Sequence, residues 1–367
     1  MNICIIGNTL TSLSLAKNLT NKKIDVHIYH KNKNKNDNLY LSRTIGISKS
    51  NLEFFKKEIH DIPKKSLWEI KKIEIYSEKL ERENILRFEK DKSKLFYMVK
   101  NKELYEILET DKSKNKFLKI IKIKDNSFYE GLLKNNQYDL IINCDPNNFL
   151  SRKYFTKKIN KDYNNLAFTT IFKHEKMENN AASQIFTKYG PIAFLPISNT
   201  ETSVVCSLDT KNKKYKDAEV VDLITKNNFR YKIIKISKLN NFNLSSSNLR
   251  NYHHKNILAF GDSLHKIHPL AGQGFNMTIR DIKILSKIIQ NKIDLGIQLD
   301  SSILKEFEKE TKSKNFLFSS SVDFIYETFN LDKKIRNKSF NRILKIIGKN
   351  KTLNNYLIKF ADKGLNF

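Results

Sequence analysis

Cysteine is scarce in this 367-residue chain, and Cys4, Cys144 and Cys206 are scattered along it. Two of them sit in apolar, strand-like runs, which excludes a disulfide framework and leaves reduced core thiols, as in a cytoplasmic protein. No apolar run has the length of a transmembrane helix, and the opening residues lack the charged-then-apolar layout of a secretory signal. Acid is short too: 39 Asp and Glu stand against 67 Lys and Arg, a net charge of +28. No arginine-rich arm, zinc-ligand spacing or RNA-binding aromatic motif accompanies the excess, so nucleic acid is set aside as a partner. Two accounts remain, attraction to an anionic membrane surface and the even spread of Lys, Asn and Ile that AT-rich coding produces. Metal-ligand clusters, a Ser-His-Asp set, internal repeats and long linkers are also missing, so no metal site is expected.

What is present belongs to a folded chain. Hydrophobic residues make up 40% of it, with 24 Phe and 15 Tyr, enough for a substantial core and two interlocked domains. Residues 2–7 read as a buried strand, residues 10–19 as an apolar-periodic helix, and residues 24–29 as a second strand. Strand, helix and strand within about thirty residues is the opening unit of a dinucleotide-binding fold. Its glycine fingerprint is eroded. Gly7 holds the first position, but Thr9 and Ser12 stand where the second and third glycines belong, and His30 replaces the acid after the second strand. A Cβ at Thr9 obstructs close backbone approach to a pyrophosphate, and Ser12 loosens helix–strand packing. His30 can still hydrogen-bond a ribose. The helix dipole still favours phosphate.

The chain is organised around residues 258–285. An apolar run over 257–260 predicts a short strand closed by Gly261, with Asp262 at its carboxyl end, where open α/β sheets bind ligands. His268-Pro269 breaks regular structure. Leu270, Ala271, Gly272, Gln273 and Gly274 form a bend with little Cβ cover, and helical spacing begins at Phe275. Free N–H groups at that helix start make an anion or carbonyl site. Asp262 is suited to accept from sugar-alcohol hydroxyls. A glycine-rich helix entry with a merely exposed Asp262 is the plain alternative.

Gly261-Asp262, His268-Pro269, Gly272-Gln273-Gly274, Asn276 and Asp281 together resemble the third flavin motif of FAD-dependent aromatic hydroxylases, closest to those of ubiquinone biosynthesis. Arg43-Thr44-Ile45-Gly46-Ile47-Ser48 is similar to a stretch whose arginine lies near the flavin ribose and pyrophosphate in that family, and a fixed guanidinium suits such a place. The segment 190–196, Gly-Pro-Ile-Ala-Phe-Leu-Pro, resembles one that separates the ubiquinone hydroxylases from other flavin hydroxylases, and reads as an apolar floor opposite the flavin. Asp145-Pro146 stands where the family has Asp-Gly, with Ser151-Arg152 downstream. Asp145 is therefore open to two readings, a site residue or a strand-end cap. Residues 323–329, 340–344 and 364–365 follow the family's closing pattern.

The resemblance implies an α/β fold: a Rossmann-like FAD-binding domain interleaved with a mixed-sheet substrate domain and followed by carboxyl-terminal helices. FAD-binding segments are expected at 1–67, 99–162 and 251–300, substrate segments at 68–98 and 163–250, and helices over 301–367. It implies a monooxygenase that hydroxylates a polyprenylated phenol, with NADH or NADPH reducing FAD and O2 forming a flavin hydroperoxide. Expected cofactor residues are Gly7, Thr9, Ser12, His30, Arg43, Asp145, Asp262, Leu270, Ala271, Gly272, Gln273, Gly274 and Asn276. Pro269 would lie by the ring where oxygen reacts, and His268 is either a proton carrier or a structural histidine. Partners implied are the lipophilic phenol, O2, other ubiquinone-synthesis proteins and the inner membrane's periphery. Two alternatives stay open. The losses at Thr9, Ser12, His30 and Pro146 suit a non-catalytic scaffold of a ubiquinone-synthesis assembly, and a hydroxylase of a soluble aromatic acid would lack a use for the 190–196 segment.

Overall fold

The computed structural model describes residues 2–31, 43–78, 84–89, 94–110, 115–123, 125–135, 137–211, 213–268, 272–334 and 351–365. The apolar runs at the start, middle and late part of the chain come together in one six-stranded sheet. Its order is His253–His254, Ile257–Ala259, Leu140–Asn143, Asn2–Ile6, Asp25–His30 and Leu118–Lys122. The inner pairings are all parallel. Both faces of such a sheet must be covered, which is why Ile3, Cys4, Ile5, Leu140 and Ile142 are fully buried and the strands read as continuous apolar runs. The helices Leu10–Asn21 and Gln273–Asp294 pack in the same core.

A second, nine-stranded mixed sheet is built on the long strand Lys158–His174, which pairs with Glu201–Asp209 on one side and Asn240–Leu249 on the other. Pro191–Pro196 follows Glu201–Asp209, then Ala181–Phe186, Lys72–Ser77 and Asn84–Glu89. Ile192 and Phe194 point to the side covered by Val220 and Ile224 of helix Asp217–Asn227. Ala193 and Leu195 therefore face the other way, by the two-residue alternation of a strand. Leu195 packs there against the cluster of Ile70, Met98 and Ala182.

Sequence and structure part company in one stretch. The segment 68–98 does not pass whole into the nine-stranded sheet: Phe96–Lys100 pairs with Thr44–Ser48 on one side and with Trp68–Ile70 on the other, in a separate three-stranded sheet. The reason is local. Gly46 leaves room for the Phe96 ring and the Met98 sulfur, 3.3 and 3.5 Å from where its Cβ would stand. Val99 and Lys100 stay in register with Ile45 and Thr44, so the following helix starts at Asn101.

The carboxyl-terminal part forms helices Ser302–Lys334 and Lys351–Lys363. The 340–344 part of the closing pattern lies outside the described residues. Among those residues, no helix is long and apolar enough to cross a membrane.

Candidate active site

Three parallel strands deliver their carboxyl ends to one place: Asn2–Ile6 runs into Gly7, Leu140–Asn143 into Asp145, and Ile257–Ala259 into Gly261 and Asp262. Gly7 adopts φ +111°, and its N–H donates to the Tyr29 carbonyl at 2.8 Å. A Cβ there would stand 3.5 Å from the Asp145 nitrogen, so the backbone angle rather than the space asks for glycine. Gly261 is more tightly held. Its φ is +59°, and a Cβ would come within 2.6 Å of Thr11 Cγ2, at the start of helix Leu10–Asn21.

The eroded fingerprint has a structural use. The Thr9 N–H donates to Ser12 Oγ at 2.7 Å, Ser12 Oγ donates to the Thr9 carbonyl at 2.9 Å, and the Ser12 N–H reaches Thr9 Oγ1 at 3.4 Å. This is a capping box, in which side chains satisfy donors that a glycine turn would turn outward. Ser12 does not loosen the helix–strand contact as expected, because it is fully buried inside that box. His30 lies at the end of its strand, its Nδ1 2.9 Å from the Lys31 carbonyl oxygen.

Asp145 carries out the capping role, since its Oδ1 accepts from the Asn147 N–H at 2.9 Å. Beneath it lies a buried amide network that nothing in the spacing of the residues announced. Asn143 Nδ2 donates to Ser151 Oγ at 2.8 Å, Asn148 Nδ2 donates to Asn143 Oδ1 at 2.6 Å, and Ser151 Oγ donates to the Asp145 carbonyl at 2.7 Å. Pro146 can stand in place of glycine because Ser151 and Asn143 hold this turn from below.

Asp262 opens to solvent but sits in a recess, and the surrounding protein raises its carboxyl above the ordinary value. His265, Lys266 and Arg43 pull it the other way, which places the Arg43 charge within the field of this site. The Arg43 guanidinium lies 3.6 Å over the centre of the Phe242 ring in the substrate sheet, a cation–π contact that fixes its plane.

A separate wall is built at the start of helix Gln273–Asp294. Gly272 caps it at φ +65° with no side-chain hydrogen bond, and faces Gly46, whose nitrogen is 3.5 Å from where a Cβ would stand. Around Gly274 the space is open, and Gln273 Oε1 is buried without a partner. Bare N–H groups, a cradle without Cβ atoms and an orphaned amide oxygen suit a flat heterocycle with carbonyl and N–H edges. Asn276 holds this wall rather than facing outward. Its Oδ1 accepts from the Ser48 N–H at 2.9 Å and from Asn51 Nδ2 at 3.0 Å, and its Nδ2 donates to the Gly46 carbonyl at 2.8 Å. Pro269, Leu270 and Ala271 lie outside the described residues.

His268 is buried between Tyr326, stacked at 4.3 Å, and Tyr163, edge-on at 4.8 Å, and neither ring nitrogen has a partner. Burial, helped by Lys161, pushes its pKa down to about 4. The ring is therefore held uncharged at neutral pH, packed as a structural histidine would be, while its role as a proton carrier stays an expectation of the resemblance. A neighbouring pair escaped the reading of residues. His265 Nε2 and Asp281 Oδ2 are 2.5 Å apart, both buried, and Asn315 Nδ2 donates to Asp281 Oδ1 at 3.0 Å. Asp281 stood out in the sequence, but Asn315, 34 residues on, had no local signal.

The described residues contain no grouping of three or more His, Cys, Asp or Glu that could hold a metal ion.

Comparison with known proteins follows from this geometry. A family model described as "SE: Squalene epoxidase" matches residues 138–341. The ubiquinone biosynthesis monooxygenase COQ6 of Dictyostelium discoideum is 25% identical over 241 residues, 52% of this chain and 49% of that protein. The 3-demethoxyubiquinol 3-hydroxylase of Escherichia coli is 29% identical over 157 residues, 40% of this chain and 39% of the relative. The chain thus spans about half the length of the curated relatives it matches, or less. Among solved structures, the p-nitrophenol 4-monooxygenase PnpA of Pseudomonas putida superposes with a TM-score of 0.74 at 12% identity, covering 98% of both chains. Klebsiella pneumoniae HpxO, complexed with FAD and uric acid, gives 0.72 at 12% identity over 98% of this chain and 96% of that one. The fold, an α/β arrangement of mixed sheets followed by carboxyl-terminal helices, is that of these two structures.

Proposed function

The chain belongs to the squalene epoxidase family, and from that premise we propose that it is an FAD-dependent monooxygenase that hydroxylates a polyprenylated phenol in ubiquinone biosynthesis. NADH or NADPH is the electron donor in this reading and O2 the oxidant. The observation that carries it is the helix start at Gly272, in left-handed conformation with no side-chain cap, beside open space at Gly274 and the partnerless, buried Gln273 Oε1. Asp262 would hold the hydroxyls of FAD, the Gly272–Gly274 backbone its ring carbonyl edge, and Arg43 its phosphates. When bound, FAD supplies the electron transfer and oxygen activation.

The chain's own share is placement and exclusion of water. Asn276 fixes Gly46 against Gly272, and behind Gly46 lies an apolar cluster of Met98, Ile70 and Ala182 with Leu195 half-buried against it. An apolar flank of this kind suits an isoprenoid-bearing ring better than a soluble aromatic acid. The names of the Dictyostelium and Escherichia coli relatives point to the same substrate class. Association with an anionic membrane surface and with other ubiquinone-synthesis proteins is part of the proposal. Phe316, Leu317 and Phe324 are exposed on the helix Ser302–Lys334, in a chain of net charge +28.

One observation favours a second reading, the scaffold. The capping box at Thr9 and Ser12 consumes donors that a pyrophosphate would use. A single preparation separates the two. The enzyme is expected to purify yellow, or to take up added FAD, and to oxidise NADH or NADPH faster when a prenylated phenol is added in detergent. A colourless protein that takes up no FAD leaves only the scaffold.

Arg43→Ala sharpens the test. With the first phosphate turn capped by its own side chains, Arg43 is left as the main cation for the phosphates. The variant is expected to bind FAD about tenfold more weakly, the loss of one charge-assisted contact of roughly 1.4 kcal/mol. Equal flavin content in variant and parent would remove Arg43 from the site.

A further inference from the structure

The helix Lys351–Lys363 ends against the cofactor wall, and its contacts are those of a brace. The helix Lys49–Glu58 has no side-chain cap of its own at Ser48. One of its free N–H groups is met instead from 312 residues away: Asp362 Oδ1 accepts from the Ser50 N–H at 2.9 Å, and from Ser50 Oγ at 2.8 Å. The Asp362 carbonyl accepts from Ser48 Oγ at 3.0 Å. Ser48 is also the residue whose N–H donates to Asn276 Oδ1, and Asn276 Nδ2 donates to the Gly46 carbonyl and, at 3.4 Å, to that of Gly272. An unbroken run of hydrogen bonds thus links Asp362 to both glycines of the wall.

Apolar contacts reinforce it. Phe360 stacks on Phe318 at 4.9 Å and joins the cluster of Ile267 and Met277, which stand on either side of the glycine bend. Gly364, at φ +69°, lets the helix end lie on Arg280, whose atoms would be 3.1 to 3.2 Å from a Cβ there.

We propose that Asp362 is a positioning residue for the flavin: it caps helix Lys49–Glu58 from the far end of the chain and so fixes the Gly46–Gly272 wall before the cofactor arrives. The inference rests on the FAD reading for its ligand, while the mechanical link itself does not. An acid at a helix N-terminus is favourable by charge as well as by hydrogen bonding. A wall held in its bound shape spares the ligand the cost of ordering it.

The test compares the full chain with Asp362→Ala and Asp362→Asn, the latter keeping an oxygen that can accept from Ser50. FAD is titrated by quenching of its fluorescence. Hydrogen exchange is followed in the protein without FAD, at Ser48 and at the start of helix Gln273–Asp294. Asp362→Ala is expected to weaken FAD about fivefold, in the range of a lost cap, and to speed exchange at both distant places; Asp362→Asn should lie near the parent. If exchange rises only at Ser50 and in the helix Lys351–Lys363, and FAD affinity stays within about twofold, Asp362 is a local cap and the proposal is overturned. Should Asp362→Ala fail to fold, Ser50→Ala decides it by the same two readouts, with Asp362→Asn as the control that keeps the acceptor. If the parent itself takes up no FAD, the cofactor reading falls, and the exchange comparison still decides the brace.

Discussion

Gly261→Ala is expected to cost about 3 kcal/mol of stability and to remove more than nine-tenths of the bound flavin, the latter an estimate from the same displacement. Two causes add. At φ +59° a side chain sits in the left-handed region, at about 1 kcal/mol. The new Cβ would also stand 2.6 Å from Thr11 Cγ2, at the first turn of helix Leu10–Asn21, so strand end or helix must move. That motion separates Asp262 from Gly7, the two sides of the sheet edge that the cofactor would bridge. Thermal unfolding and the flavin absorbance of the purified variant measure the two effects. Adding Thr11→Ser removes the offending methyl and should recover the steric share, leaving the backbone share. A double variant no better than the single one would show that the Thr11 contact is not the cause.

Acid should destabilise the protein through His268, and the sign follows from its environment. Buried between two tyrosines, the imidazole has a pKa of about 4 in the fold, against about 6.5 in an unfolded chain. Between those values the unfolded state binds the extra proton, so stability is full above about pH 6.5 and is lost as pH falls toward 4. The difference amounts to about 3 kcal/mol. His268→Phe keeps a flat ring for Tyr326 to stack on and has no proton to take. Its denaturant-measured stability should match or exceed the parent's at pH 7 and fall less steeply between pH 6.5 and 4. Parallel curves for the two proteins would mean that His268 is not the titrating group.

Much of the fold was legible because its strongest signals are local. Residues 2–7, 257–260 and the helix after Gly272 carry their own periodicity and punctuation, and all became elements of the central sheet or its cover. What was hidden depends on contacts between distant stretches. The pairing of Phe96–Lys100 with Thr44–Ser48 is decided by a ring lying on Gly46, which no window of residues reports. Thr9 and Ser12 read as losses from a glycine pattern, because a pattern records which residue is absent and not what the substitute bonds to. Asn315, Phe242 and Asp362 lack any motif. Each acts on the site across a gap in sequence far longer than helix or strand periodicity can bridge. Pro269, Leu270 and Ala271 remain expectations of the resemblance.

The threading of the six-stranded sheet also bears on how a ribosome would release this protein. Strand Asn2–Ile6 precedes the other strands of its sheet in sequence yet lies in the interior, flanked by Asp25–His30 and by Leu140–Asn143, whose outer neighbour Ile257–Ala259 comes more than a hundred residues later. Until Ile257–Ala259 is synthesised, Leu140–Asn143 keeps an open edge that is apolar from Leu140 to Ile142. Pairings of such long range form slowly and expose the nascent chain to association in the interval. A protein threaded this way has reason to depend on chaperones during its own translation.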